Sequence, residues 1–248
     1  MKLGSLLLVL TSVFMTTAFC QADTVKFDGL DWQVRQDFGG PGPNHWSKSL
    51  VRVDKRGRLH LRVDKVDGVW CSAELYLTKP MGFGLYTFHV EGPIDHLDKN
   101  IVLGLFNYTT PDIGPDGTNE IDIELAHWGV QKYPPVNFTV YPSIVRPGSG
   151  HKEFVYPAPI SNSYFAFEWS ATAVAFRAYS KPAEKPYITW AFLPKNEPTL
   201  RVPQKPIPVH INFWLFRGRA PSDGKPEEVI IDSFKFTPHG PPVAGGAN

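Results

Sequence analysis

Residues 119–128 read NEIDIELAHW. Glu120, Asp122 and Glu124 alternate with Ile121 and Ile123, and Leu125 continues the apolar set. An alternation of period two marks a strand with one face in a core and the other turned outward. It puts three carboxylates on the outward face, with same-side neighbours about 6.7 Å apart. Asp and Glu are poor strand formers, like charges so placed repel, and residues 114–131 contain no Lys or Arg to offset them. A strand needed only for structure favours Thr or Lys at such positions. The run therefore marks a site more readily than a solvated acidic edge.

The rest of the chain repeats the same period. LHLRVDKV (59–66), LYTFHVEG (85–92), NIVLGLFNY (100–108), PVNFTVYP (135–142), YFAFEWS (164–170), TAVAFRAYS (172–180), PVHINFWLF (208–216) and EEVIIDSFKFTP (227–238) all alternate and are rich in β-branched and aromatic residues. No stretch of a dozen residues keeps a capped helical period. The 24 prolines and 21 glycines fall between these runs, as turns do. Many short strands at regular spacing predict an all-β sandwich. No repeat or break in composition divides it, so one domain is expected over residues 23–240, with 241–248 a frayed tail.

Residues 1–22 read as an export signal. Lys2 is followed by the apolar run LLLVLTSVFMTTAF (6–19) and then CQA before Asp23, too short a run to span a bilayer comfortably. Its removal takes away one of 25 basic residues and none of the 24 acidic ones, which leaves a formally neutral chain. Neutrality argues against nucleic acid as a partner. Of the two cysteines only Cys71 would then remain, so no internal disulfide is expected and the core must hold the fold. The expected protein is secreted or periplasmic, free of the membrane once the signal is removed, and monomeric.

The chemistry that uses two carboxylates across a gap is glycoside hydrolysis. The Cα atoms of Glu120 and Glu124 lie about 13 Å apart along an extended strand, and both side chains can lean inward. Their carboxyls can then approach the roughly 5–5.5 Å of a retaining enzyme, one serving as nucleophile and one as acid/base. Asp122 between them can hydrogen-bond a neighbour and, by its charge, keep one Glu protonated.

The pattern E-I-D-I-E resembles the signature of glycoside hydrolase family 16, the bacterial lichenase and laminarinase group. FGLYTFHVEG (83–92), the continuous stretch 100–125, VNFTVYP, YFAFEW, INFWLFRG and IDSFKF resemble that family's successive strands, over roughly residues 45–236. The resemblance implies a jelly-roll β-sandwich of two curved antiparallel sheets with a substrate groove on the concave face. It implies that Glu120 is the nucleophile, Asp122 the assisting acid and Glu124 the acid/base of a secreted, endo-acting, retaining enzyme. The substrate expected from the regular form of the motif, with no residue inserted before the last Glu, is mixed-linkage β-1,3-1,4-glucan or β-1,3-glucan. A transglycosylase, a galactan-active member and a non-catalytic carbohydrate-binding sandwich are the other readings.

If the trio faces a groove, parity names its neighbours. Asn137, Thr139 and Tyr141 share one face of the next strand, and Asn212 shares that of Trp214. Phe106 and Trp214 match aromatic groove positions by the resemblance, while Trp46 and Trp128 stand in or beside loops able to rim it. Sugars stack their apolar faces on such rings. No cofactor is required for this chemistry, and no metal-ligand spacing such as H-E-x-x-H occurs. The resemblance implies a structural calcium ion held by Asp232. The glycosylation patterns at Asn107 and Asn137 fall on groove strands and are read as chance.

Overall fold

The computed structural model of the protein describes residues 23–92, 94–146, 148–156, 160–182 and 184–239. The export signal and the tail expected at 241–248 lie outside the described residues.

Alternating sequence becomes strand throughout. In chain order the strands are β1 (Thr24–Phe27), β2 (Leu30–Val34), β3 (Asp37–Gly39), β4 (Asn44–Trp46), β5 (Val51–Val53), β6 (Leu59–Val66), β7 (Val69–Tyr76), β8 (Gly84–Glu91) and β9 (Ile101–Asn107). They continue as β10 (Glu120–Ala126), β11 (Val136–Tyr141), β12 (Gly150–Phe154), β13 (Asn162–Trp169), β14 (Val174–Tyr179), β15 (Ile188–Phe192), β16 (Val209–Leu215) and β17 (Glu227–Pro238).

Pairing sorts most of them into two antiparallel sheets. One runs β1-β2-β7-β16-β9-β10-β11-β12. The other runs β5-β6-β17-β8-β13-β14-β15. The hairpin from β6 to β7 joins the two, and the short β3–β4 hairpin docks through a parallel pairing of β4 with β7. This is the expected jelly-roll sandwich of two curved sheets. The acidic run is an internal strand of the first sheet, flanked by β9 and β11, and not an edge.

The core lies between the sheets and takes every second residue. From β10 it receives Ile121, Ile123 and Leu125, each at most 1% exposed. Leu103 and Leu105 from β9, Val136, Phe138 and Val140 from β11 and Ile211 and Phe213 from β16 complete the same layer. The opposite sheet answers with Phe88, Phe165, Phe167 and Phe176; Phe138 stacks on Phe176 at 4.8 Å across the gap. Burial on this scale, at about 1.5–3 kcal/mol per large apolar side chain, fixes the strand register. A slip of one residue would send the three carboxylates into the core. β10 is anchored at its start by Asn119, whose positive φ of 51° suits Asn better than most side chains. Its amide donates to Thr118 Oγ1 and to the Ser143 carbonyl.

The structure also settles some smaller expectations. Asn107 and Asn137 are both 0% exposed, so neither offers an amide for glycosylation in the folded chain. Cys71 is a buried free thiol. Among the described residues no helix is long and apolar enough to cross a membrane.

Candidate active site

The register of the first sheet places the outward-facing residues in rows across the strands. Asp122 of β10 stands opposite Thr139 of β11 on one side and Phe106 of β9 on the other; the row continues through His210 of β16 to Tyr76 of β7. A second row runs Asn137, Glu124, Gly104, Asn212, Glu74. Glu120 stands opposite Tyr141. Thus Glu120, Asp122, Glu124, Phe106, Thr139, Tyr141 and Asn212 share one face, as the alternation predicts.

The trio is sunk in this face. Asp122 is 3% exposed, with Oδ1 buried and without a hydrogen-bond partner, and Glu120 and Glu124 are half-buried. None of the three forms an ion pair with a described residue. Their carboxyls are therefore harder to ionise than ordinary ones. For Glu120 the cause is burial, then the charges of Glu124 and Asp116, opposed by a hydrogen bond from Asp122, with the carboxyl pushed up to about 8. For Asp122 it is burial, then the charges of Glu120 and Glu124 and the hydrogen bond with Glu120. For Glu124 it is burial, which pushes the carboxyl up to about 7. The bond between Asp122 and Glu120 needs one proton. Asp122, the more deeply buried partner, is the harder of the two to ionise.

The surroundings divide into two regions. At the Ala126 end, Val102, Ala126 and Trp214 face outward yet are buried, because Trp46 covers them with help from Trp128 and Phe216. This corrects the expectation for Trp46. It is 1% exposed, its indole donates to the Gly39 carbonyl at 3.1 Å, and the Arg35 guanidinium lies 4.4 Å over its ring. Both polar and apolar surfaces of that ring are spent inside the protein. Trp214, 5% exposed, belongs to the same cluster and supports the groove end more than it lines it. Asn137 is a second correction. Its amide donates to the carbonyls of Glu124, Ala126 and Pro135, and its Oδ1 accepts from Trp128 Nε1 at 3.1 Å. With every polar atom engaged and 0% exposure, it braces β10 and holds Trp128 rather than meeting a ligand. Trp128 itself remains partly exposed at the rim. Thr139 is paired with His151 Nδ1 at 2.9 Å.

The segment after β9 folds on itself into a concavity of about 570 Å³ lined by residues 108–116, Tyr108 and Asp116 among them and none of the three acids. The Tyr108 hydroxyl donates to Asp116 at 2.7 Å, which secures this wall.

Gly104 has a specific steric role. A Cβ there would sit 2.3 Å from Asn212 Oδ1, so the absent side chain is what lets Asn212 lean across β9 in the row of Glu124. Asn212 Oδ1 is buried without a partner, a costly acceptor for a protein to leave unfilled.

Sequence reasoning missed Glu74 and His210. Glu74 is 5% exposed, bonded to Arg35 Nη1 and His210 Nδ1 at 2.8 Å each. The parity that named Asn212 and Trp214 names His210 as well. Glu74 sits in VWCSAELY (69–76), whose inward set of small residues hides the alternation. Asp232 lies on β17 of the opposite sheet, and its Oδ2 is 2.9 Å from His89 Nδ1. Among the described residues no three His, Cys, Asp or Glu side chains are grouped to hold a metal ion.

Solved structures share this architecture. A Bacillus licheniformis β-glucanase matches with a TM-score of 0.61 at 21% identity, covering 84% of this chain and 92% of that one. The fold is that of the β-glucanases. A glycoside hydrolase family 16 endo-glucanase from Bacteroides ovatus, solved in complex with G4G3G-2F-DNP, matches with a TM-score of 0.64 at 12% identity over 83% and 94% of the chains. An immunostimulatory antigen and pseudo β-1,3-glucanase of Mycobacterium tuberculosis matches at 0.63 and 16% identity over 84% and 91%. No protein-family model matches the sequence, and no curated protein does. The glucanase fold thus hosts proteins described both as enzymes and as a pseudo-enzyme, so the side chains on it must carry any functional argument.

Two outcomes test the site's physics. Gly104→Ala pushes Asn212 from its place and is expected to cost about 1–3 kcal/mol in chemical denaturation. Glu124 has a folded-state pKa raised from 4.5 to about 7, so the folded chain holds a proton that the unfolded chain has released. Its contribution to stability therefore falls as pH rises from about 4.5 to 7 and is level above that. Glu124→Gln should remove this slope and gain on the parent by about 3 kcal/mol at pH 8, measured by urea denaturation across pH.

Proposed function

We propose that the protein is an exported, endo-acting, retaining glycoside hydrolase that cleaves β-1,3-1,4- or β-1,3-linked glucan. The observation that carries this reading is the sunken trio without counter-ions among the described residues, aligned on one strand and on a face that also carries Phe106 and Tyr141. A binding module gains nothing from three destabilised acids, since Asn or Gln would bond sugar hydroxyls without the repulsion.

The roles follow from the environments. Glu120 is assigned as the nucleophile that attacks the anomeric carbon: burial and the Glu124 charge push its carboxyl up to about 8, and the hydrogen bond from Asp122 is what draws it back toward the ionised form. Glu124, kept protonated by burial, gives its proton to the departing glycosidic oxygen. The bond from the anomeric carbon to that oxygen breaks as the bond to Glu120 forms, which leaves a glycosyl ester and an ionised Glu124. Glu124 then takes a proton from water, and the water oxygen displaces Glu120. Two inversions give net retention. Asp122 strengthens its bond to Glu120 as charge returns to that carboxylate on departure.

Phe106 and Trp128 offer apolar ring surface for sugar faces, and Tyr141 and Asn212 offer hydrogen bonds. A calcium ion at Asp232 would have to displace His89 from Oδ2 and draw further ligands from main-chain carbonyls. No step of the reaction runs through it. Export and a monomeric state belong to the same proposal.

Transglycosylation shares the covalent step and differs only in the acceptor, so product analysis separates the two. The experiment is a panel of lichenan, laminarin, xyloglucan, agarose and carrageenan with product sizing, run on the parent and on Glu120→Gln. Turnover is expected on lichenan or laminarin, with loss of at least a thousandfold in the variant and a thermal midpoint no lower than the parent's. Equal rates for variant and parent, or binding without turnover by the parent on the whole panel, would overturn the catalytic reading.

A further inference from the structure

His210 stands on the same outward face as the acids, two strands from Asp122, in the row Asp122, Phe106, His210, Tyr76. At the spacing of paired strands that is about 10 Å, so the residue meets a sugar beside the one being cleaved. Its ring is immobilised. Tyr76 stacks on it at 5.1 Å and 15°, Phe106 lies 5.1 Å away at 32°, and Tyr108 approaches edge-on at 5.8 Å. Nδ1 lies 2.8 Å from Glu74 Oε1, while Nε2 makes no hydrogen bond to a described residue.

The buried Glu74 dictates what that free nitrogen is. Its other oxygen takes a hydrogen bond from Arg35, which also bonds Asp37 and the Gly40 carbonyl, so the carboxylate is clamped between two donors. Burial alone would push Glu74 up, yet the hydrogen bond with His210 and the charge and hydrogen bond of Arg35 hold it below the usual carboxylate range. An ionised carboxylate only accepts, so Nδ1 must carry hydrogen. In the neutral ring Nε2 is then a bare lone pair. An imidazole nitrogen of fixed tautomer is a directional acceptor held in place by its neighbours.

We propose that His210 Nε2 is a glucan-recognition group, accepting a hydrogen bond from a hydroxyl of the sugar next to the cleavage point, and that Glu74 is the positioning residue that fixes its tautomer and ring plane. The proposal rests on the glucanase reading for the identity of its ligand. It adds a specificity element: a sugar must present an equatorial hydroxyl donor between the rings of Tyr76 and Phe106, so a residue substituted or linked through that oxygen is refused.

The test uses the full chain with its histidines ¹⁵N-labelled and Glu120→Gln present to prevent turnover, titrated with a β-1,3-1,4-linked glucotetraose and with laminaritetraose. The free protein should show His210 with hydrogen on Nδ1 and a bare Nε2, and a saturating tetraose should shift the Nε2 resonance in the direction of an accepted hydrogen bond. In kinetics, His210→Phe should raise KM about tenfold with kcat within about twofold, His210→Gln should recover part of the loss, and Glu74→Gln should raise KM and scramble the tautomer signal. A bound tetraose that leaves Nε2 unmoved, or a free-state ring with hydrogen on Nε2, overturns the proposal even where a variant fails to fold.

Parallel assays of the parent on lichenan and laminarin separate the two readings. Turnover with an unmoved Nε2 overturns the role of His210 alone. A shifted Nε2 without turnover by the parent overturns hydrolysis and upholds His210 as a binding group. Neither binding nor turnover overturns both.

Discussion

Mutual repulsion among three half-dry carboxyls is the constraint around which this molecule is arranged. Placing Glu120, Asp122 and Glu124 on one face of β10 forfeits stability, and no described cation repays it. The strand survives because its other face is locked into the core by Ile121, Ile123 and Leu125, and because β9 and β11 pair it on both sides. An edge strand could relieve the strain by turning its acids to water. An internal one must store protons instead, and stored protons are what acid/base chemistry uses.

The site's outer parts follow the same logic of rigid support. Asn137 ties the carbonyls of Glu124, Ala126 and Pro135 to Trp128, so the rim aromatic and the acid strand move together. Arg35 links the β3–β4 hairpin to Glu74 and covers Trp46, which in turn covers Trp214. One guanidinium thus connects the apolar cluster at one end of the face to the His210 row. Side chains carrying this many fixed partners are preorganised, and binding then costs less ordering.

How much of this was legible in the sequence depends on range. The alternation in NEIDIELAHW and its companions is local, and it gave the sheet, the facing of the trio and the inward set, because a pleated backbone leaves no other choice of face. Strands β6 and β17 run over the residues their alternation marked out. Strands β1 to β5, β7, β12 and β15 were invisible, being too brief or too mixed for periodicity. The errors at Trp46 and Asn137 arose because parity or loop position says which way a side chain points but not what folds over it. Trp46 is covered by Arg35, and Asn137 turns back onto its own strand pair. Glu74 and His210 are 136 residues apart, and their bond exists only because β7 and β16 are neighbours in the sheet.

In the proposed mechanism Glu120 is the group that bonds to sugar. Incubating the protein with a 2-deoxy-2-fluoro-β-glucoside of a mixed-linkage oligosaccharide carrying a dinitrophenolate leaving group should trap the ester, because fluorine slows both its formation and its hydrolysis while the leaving group restores formation alone. Mass spectrometry of the digested protein should then show one glycosyl adduct, on the peptide containing Glu120 and on that side chain. An adduct on Glu124, an adduct elsewhere in the chain, or dinitrophenolate release with inverted product and no adduct would rule out Glu120 as the nucleophile.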